Sequence, residues 1–258
     1  MSEARRPRVI VTRPAAQASA AVRQLQARGV DALALPLIEI AALDDETALG
    51  EAWRSLPTRR LVVFVSVNAV LHFFAAQPGA TGWPLDLLAA APGPGTAAAL
   101  HAAGIDPEAV IEPAADAAPL DSEALWQRLH DSDWRGASVL VVRGDGGRDW
   151  LAQQLAGAGA VVDAVTAYLR RAPRFDAAAR SLLAAATLLP HDYVWLFSSS
   201  EAIGHLEMAA KGERWADSIA IATHPRIAAR ARQAGFGIVH EVRADLEGVV
   251  ACIQSMRP

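Results

Sequence analysis

The sequence predicts an α/β protein made of two similar domains, each a doubly wound parallel sheet. Three observations carry this reading. Short apolar runs suited to strands buried on both faces alternate with helical patterns along the chain, as parallel sheets with helices on both sides require. A stretch in the middle repeats the N-terminus: Val139-Leu140-Val141-Val142-Arg143-Gly144 lies on Val9-Ile10-Val11-Thr12-Arg13-Pro14, 130 positions earlier, with Leu155 on Leu25 and Gly159 on Gly29. Two more pairs extend the likeness, Phe64 to Val70 against Phe197 to Ile203 and the helix ending at Gly104 against the helix ending at Gly235.

In chain order, residues 8–12 form an apolar strand, and Thr12 to Gln17 form a loop and helix start. The helix presents Ala21, Val22 and Leu25 on one face until Gly29 stops it. Residues 31–35 are a second strand ended by Pro36, and Pro36 to Ile40 is an extended apolar connector. A helix over 45–56, a strand over 61–65, a helix from Ala69 to Ala76 and a turn-rich loop with Pro78, Gly79, Gly82 and Pro84 follow. Ala89 to Ala91 is a weak strand feeding Pro92-Gly93-Pro94-Gly95-Thr96 and a helix to Gly104. A brief strand over 109–111 and a helix capped by Asp121-Ser122-Glu123 precede the repeated unit, which begins at Ser138 and ends in Tyr168-Leu169-Arg170-Arg171. An Ala-rich helix ending before Pro190 leads to strands at Tyr193–Phe197, Ile219–Ala222 and Ile238–His240, each followed by a helical pattern. The first half has two strands before its connector, so residues 172–258 complete it. The expected domains are a discontinuous one, 1–36 with 172–258, and a continuous one, 37–171.

With 258 residues, 52% hydrophobic and 20% charged, the composition is that of a globular protein, and a net charge of −4 argues against a general polyanion binder, since a nucleic-acid protein would normally show a basic face. All the basic residues are arginine except Lys211, a bias that fits a GC-rich genome. Cys252 is the single cysteine, which excludes an internal disulfide or a Cys-based metal site and reads as a small buried hydrophobe. Arg5, Arg6 and Arg8 lead straight into a strand without the features of a signal peptide, and no apolar run reaches membrane-spanning length, so a cytoplasmic protein is expected.

Open parallel sheets bind ligands at the carboxyl ends of their strands, where loops meet helix N-termini. The loops there are Thr12-Arg13-Pro14, Ser66-Val67-Asn68, Gly93-Pro94-Gly95-Thr96, Arg143-Gly144-Asp145-Gly146-Gly147-Arg148, Ser198-Ser199-Ser200 and Thr223-His224-Pro225. Hydroxyls, glycines and amides at a helix start suit anions. Each loop alone reads as well as an N-cap or a turn; six of them, repeated in both halves, point to one large ligand with several negative groups. None is a sharper motif: Gly93 to Thr96 lacks dinucleotide-loop spacing, no Walker-type lysine exists, and the histidines show no metal-ligand spacing. Ser199 lies in a strand-to-helix turn without a nucleophile-elbow pattern.

The ordered set of Val-Thr-Arg-Pro near the start, Leu35 to Ile40, Phe64 to Val70, Pro92 to Ala97, Arg143-Gly144 with Gly147-Arg148, Tyr168-Leu169-Arg170-Arg171, Phe197 to Ala202 and Thr223 to Ala228 resembles the uroporphyrinogen-III synthase family over nearly the whole chain. The resemblance implies two flavodoxin-like α/β domains joined by a two-stranded connector, with a ligand cleft between them. It also implies a cofactor-independent lyase that takes hydroxymethylbilane, a linear octacarboxylate tetrapyrrole, through loss of water and inversion of ring D to uroporphyrinogen III. The protein is then expected to be a monomer without nucleic-acid, membrane or metal partners. Tyr168 matches the family's tyrosine thought to assist loss of the hydroxyl; from the residues alone it is as readily a half-buried aromatic. Arg13, Arg143 and Arg148 would pair with carboxylates, and Ser66, Asn68, Gly93, Thr96, Gly144, Ser198, Ser199 and Thr223 would supply the amide and hydroxyl contacts. Two departures from the family stand out: Arg226-Ile227 where many relatives have Thr-Ala, and Val65 where a threonine usually precedes the serine, so no hydroxyl is available at 227 or 65. A rival reading is a non-catalytic two-lobed module for tetrapyrroles or other polyanions. The missing signal peptide weighs against an exported binder, and the lack of an appended helix-turn-helix weighs against a regulator. A nucleotide-sugar transferase would want an acidic metal motif between the lobes, and Asp44-Asp45-Glu46 lies elsewhere.

Overall fold

A computed structural model describes residues 7–79, 81–114, 117 and 121–256. The elements are β1 (Arg8–Val11), α1 (Ala15–Gln26), β2 (Ala32–Ala34), β3 (Glu39–Ala41), α2 (Thr47–Ser55), β4 (Leu61–Phe64), α3 (Val67–Ala75), β5 (Leu88–Ala90), α4 (Pro94–Ala102), β6 (Val110–Ile111), α5 (Ser122–Leu129), β7 (Ser138–Gly144), α6 (Trp150–Gly157), β8 (Val161–Arg171), α7 (Ala177–Leu188), β9 (Tyr193–Phe197), α8 (Ser200–Ala209), β10 (Ile219–Ala222), α9 (Pro225–Gln233), β11 (Ile238–Glu241) and α10 (Leu246–Ser255). Three details differ from the sequence reading. Part of the connector pairs as β3, α3 starts directly after its cap Ser66 instead of at Ala69, and β8 runs unbroken for 11 residues.

The strands form two sheets, with orders β11-β10-β9-β1-β2 and β3-β8-β7-β4-β5-β6. The ladders among β1, β2, β9, β10 and β11, and those joining β8, β7, β4, β5 and β6, are parallel. Laid side by side, β2-β1-β9-β10-β11 and β8-β7-β4-β5-β6 are one arrangement, and the sequence repeat falls on it: β1 with β7, β9 with β4. The chain enters the two at different points. The first sheet starts with β1 and β2 and is finished by β9 to β11; the second, apart from its edge strand β3, starts with β4 to β6 and is finished by β7 and β8. The two halves are therefore circular permutations of one design.

The same hydrogen bonds close the repeated helices. In α1 the Val30 N–H reaches back to the Leu25 carbonyl and Gly29 takes a φ of 75°; in α6 the Ala160 N–H reaches Leu155 and Gly159 takes 98°. This is the six-to-one closure that a left-handed residue permits, which is why glycine marks both stops. Leu25 and Leu155, which accept those bonds, are buried in their cores.

By its contacts the chain divides into residues 1–39 with 171–258, and residues 40–170. Residues 37–39 fall with the first unit because Leu37 is held there: its N–H donates to the Thr12 carbonyl and its own carbonyl meets His205 Nδ1 at 2.6 Å. In the second unit one face of the sheet packs Trp53, Phe64, Phe73, Leu140, Val142 and Val165, and the other packs Leu61, Val63, Leu125, Val139, Val141 and Leu155. In the first unit one face packs Val9, Val11, Leu25, Val194, Leu196 and Ile253. An aromatic group there, in which Trp195 lies 5.7 Å from Trp215 and Phe197 lies 5.5 Å from Phe236, parallels the group around Phe64 and Trp53 in the second unit. Among the described residues no helix is long and apolar enough to cross a membrane.

Two glycines in the first unit should respond to alanine with opposite signs. A Cβ on Gly237 would lie 1.8 Å from the Ala216 carbonyl oxygen, so backbone must move and Gly237→Ala should cost about 3 kcal/mol. Gly204, inside α8, has nothing within 4 Å of a Cβ, so Gly204→Ala should stabilise by roughly 0.5–1 kcal/mol. Urea unfolding of the two variants beside the parent checks both signs.

Candidate active site

Each sheet reverses its direction of growth once, and loops part to opposite faces there, leaving the crevice in which such folds bind ligands. In the second sheet the reversal lies between β4 and β7, so the residues at issue are Ser66 after β4 and Arg143 and Gly144 ending β7. In the first it lies between β1 and β9, which brings Thr12 and Arg13 beside Ser198 and Ser199.

At the second reversal Tyr168 joins Ser66 and Gly144. Along β8 Val165 and Ala167 share the face of Trp53 and Phe64, while Val162 packs on the opposite one. Strict alternation would send Tyr168 the way of Val162. The register with β7 slips here: Arg143 pairs with Thr166, but Gly144 pairs with Tyr168, leaving Ala167 extra. A bulge of this kind re-aims the next side chain, and Tyr168 accordingly stands on the Phe64 face, 2% exposed. Its hydroxyl lies 3.0 Å from Ser66 Oγ and its ring stacks on His72, centroids 5.6 Å apart. Its other support is an absence: a Cβ on Gly144 would come within 2.8 Å of Tyr168 Cζ. The following loop fixes the strand just after the phenol, since the Asp145 N–H donates to the Tyr168 carbonyl and the Asp145 carboxylate accepts the Arg170 N–H.

The helix starts are built as the sequence suggested. Ser66 caps α3 by accepting the Ala69 N–H, and its repeat mate Ser199 caps α8 by accepting the Glu201 N–H. Gly93 and His224 hold the corresponding places before α4 and α9, each followed by proline, with His224 Nδ1 accepting the Arg226 N–H. Asn68 lies in the first turn of α3, Thr96 is buried in that of α4, and Ser198 is partly buried just after β9. Thr223 is buried and its hydroxyl donates to the Phe197 carbonyl, as that of Thr12 donates to the Leu196 carbonyl, so both donors are used to join strands.

The three arginines differ. Arg148 makes a bidentate pair with Glu123 at 2.7 and 3.0 Å, which raises its pKa, and Arg143 pairs with Asp149. Arg13 is buried enough that desolvation lowers its pKa, and its Nε has no hydrogen-bond partner. A guanidinium nitrogen buried without a partner is costly to hold. Sequence reading missed the contacts of Asp145 with Arg170, of Glu123 with Arg148 and of His72 with Tyr168, and the bulge. A parity count along β8 would have put Tyr168 on the wrong face, and ion pairs 25 residues apart leave no local pattern. Among the described residues no cluster of His, Cys, Asp or Glu could hold a metal ion.

A family profile described as uroporphyrinogen-III synthase HemD matches residues 19–251. The chain belongs to the uroporphyrinogen-III synthase family. It is 33% identical to the uroporphyrinogen-III synthase of Salmonella typhimurium over 179 residues, 67% of this chain and 69% of that one. The fold is that of solved synthases from this family. A mutant Thermus thermophilus enzyme aligns over 95% of this chain and 96% of its own with a TM-score of 0.59 at 18% identity. The Helicobacter pylori enzyme aligns over 98% and 100% with a TM-score of 0.60 at 15% identity.

The fit of Gly144 under the phenol gives a stability prediction. Gly144→Ala should push the Tyr168 ring off Ser66 and cost about 1–3 kcal/mol, and in a Tyr168→Ala background most of that cost should vanish. Denaturant titration of the four members of the cycle measures the coupling; additive costs would mean that the two residues do not share the space.

Proposed function

We propose that the chain closes hydroxymethylbilane to uroporphyrinogen III, with loss of water and inversion of ring D, and that Tyr168 is the source of the proton that leaves with the hydroxyl. The observation that carries this role is the placement of a phenol, by a strand bulge, at the reversal point of its sheet and within 3.0 Å of Ser66 Oγ. Loss of the hydroxyl from ring A leaves a cationic azafulvene. A phenol can give up its proton as the carbon–oxygen bond breaks. Ring inversion needs the substituted carbon of ring D to reach the azafulvene first, which is a matter of positioning.

The substrate's carboxylates call for donors, and the helix starts at Ser66, Gly93, Ser199 and His224 offer backbone N–H groups with favourable dipoles. Arg13 is the arginine we assign to a carboxylate, because Arg143 and Arg148 already pair with Asp149 and Glu123. A partly buried cation with an unpartnered Nε lowers stability in the unliganded protein and returns it when a substrate anion binds. The neutral variant Arg13→Met should therefore raise the melting temperature of the unliganded protein while raising KM about 10- to 100-fold, the loss of a charge-assisted contact. Calorimetry and steady-state kinetics on one preparation check the pair; an unchanged KM would remove Arg13 from substrate binding.

For Tyr168→Phe, general acids contribute about 10²- to 10⁴-fold, and an azafulvene forms readily enough that the low end is expected. The ring and its packing remain, so the variant should fold normally and still make isomer III, slowly. Separation of isomers III and I after single turnovers from hydroxymethylbilane measures both. An unchanged rate would end the donor role, and a shift to isomer I would make Tyr168 a positioning residue.

A further inference from the structure

Tyr168 is buried, and the hydrogen bond of its hydroxyl leads outward. The phenol is covered by His72 on its ring and by the bare Gly144 backbone, and its hydroxyl meets Ser66, which is partly exposed at the head of α3. A serine hydroxyl has one donor and two acceptor sites. Ser66 Oγ accepts the Ala69 N–H at 3.2 Å; when it also accepts from the phenol, both acceptor sites are filled and its own proton points to whatever lies beyond.

Resting on the donor role argued for Tyr168, we infer that Ser66 is the group that touches the departing hydroxyl and that Tyr168 acts through it as the proton reservoir. The lone pair of the ring A nitrogen moves into the ring, and the carbon–oxygen bond breaks with its electrons on oxygen. That oxygen takes the Ser66 proton and leaves as water. Ser66 Oγ takes the phenol proton in the same motion, leaving a phenolate beside the cationic azafulvene. Once the macrocycle has closed, the pyrrole carbon that carries one hydrogen too many releases it, and the same two oxygens return it to Tyr168. No other acid or base is consumed. The arrangement explains why the phenol can be walled in: it keeps bulk water from the reservoir while one hydroxyl connects it to the substrate.

Single-turnover formation of isomer III separates the possibilities. In wild-type enzyme a proton inventory in H₂O/D₂O mixtures should bow, since two protons move, whereas one donor acting directly gives a straight line. Ser66→Ala, Tyr168→Phe and the double variant should share one rate, about 10²-fold below wild type and in kcat instead of KM. Because alanine also removes the helix cap, Ser66→Asn, which caps without a hydroxyl, should be as slow, and Ser66→Thr, which keeps both, should recover most of the rate. If Ser66→Asn runs at the wild-type rate while Tyr168→Phe is slow, the relay is wrong and Tyr168 donates directly. If both run at the wild-type rate, the relay and the donor role of Tyr168 fall together.

Discussion

A parallel sheet that grows in two directions from its middle has one point where neighbouring loops turn to opposite faces, and no packing rule fills the space they leave. Everything placed at the site here answers to that gap. In the second unit it is occupied by a phenol seated on a glycine; in the first it holds an arginine whose Nε has no partner. The two halves share a backbone plan but carry different side chains beside the reversal, a buried phenol in one and an arginine with an unpartnered Nε in the other. A duplicated fold keeps its frame through strand order and glycine stops, while the side chains beside the reversal differ between the halves.

The frame was legible because it depends on local chemistry. Val9 to Val11 and Val139 to Val142 are strands that only burial on both faces explains, and Gly29 and Gly159 stop helices through a conformation other residues avoid. The caps at Ser66, Asp121 and Ser199 could be read for the same reason. What escaped was set by distant parts of the chain. The bulge at Ala167 arises from pairing with β7, and nothing in Ala164 to Tyr168 announces it. Arg143 and Arg148 read as carboxylate ligands until Asp149 and Glu123 meet them. Leu37, read as part of an extended connector, is tied to Thr12 and His205.

The pairing of those two arginines bears on how the loop after β7 is held. Gly146 and Gly147 take positive φ values of 145° and 113°, conformations few other residues would accept, and between Gly144 and Trp150 the loop is pinned by Asp145 to β8 and by Arg148 to α5. A loop with two such glycines would otherwise sample many shapes, at a cost in entropy when a ligand orders it. Here the Arg143–Asp149 and Arg148–Glu123 ion pairs supply the order in advance.

The permuted entry of the chain into its two sheets bears on synthesis. Thr12 donates to Leu196, 184 residues further on, and β1 is flanked in the finished sheet by β2 and by β9. While the ribosome is adding the second unit, whose strands all lie within residues 39–171, β1 and β2 have no sheet to join and β1 presents an open apolar edge. The unit begun first is finished last. Nascent chains of this design are most exposed to wrong pairing over residues 8–34 until β9 emerges, and that interval is where a holdase chaperone would find its binding segment.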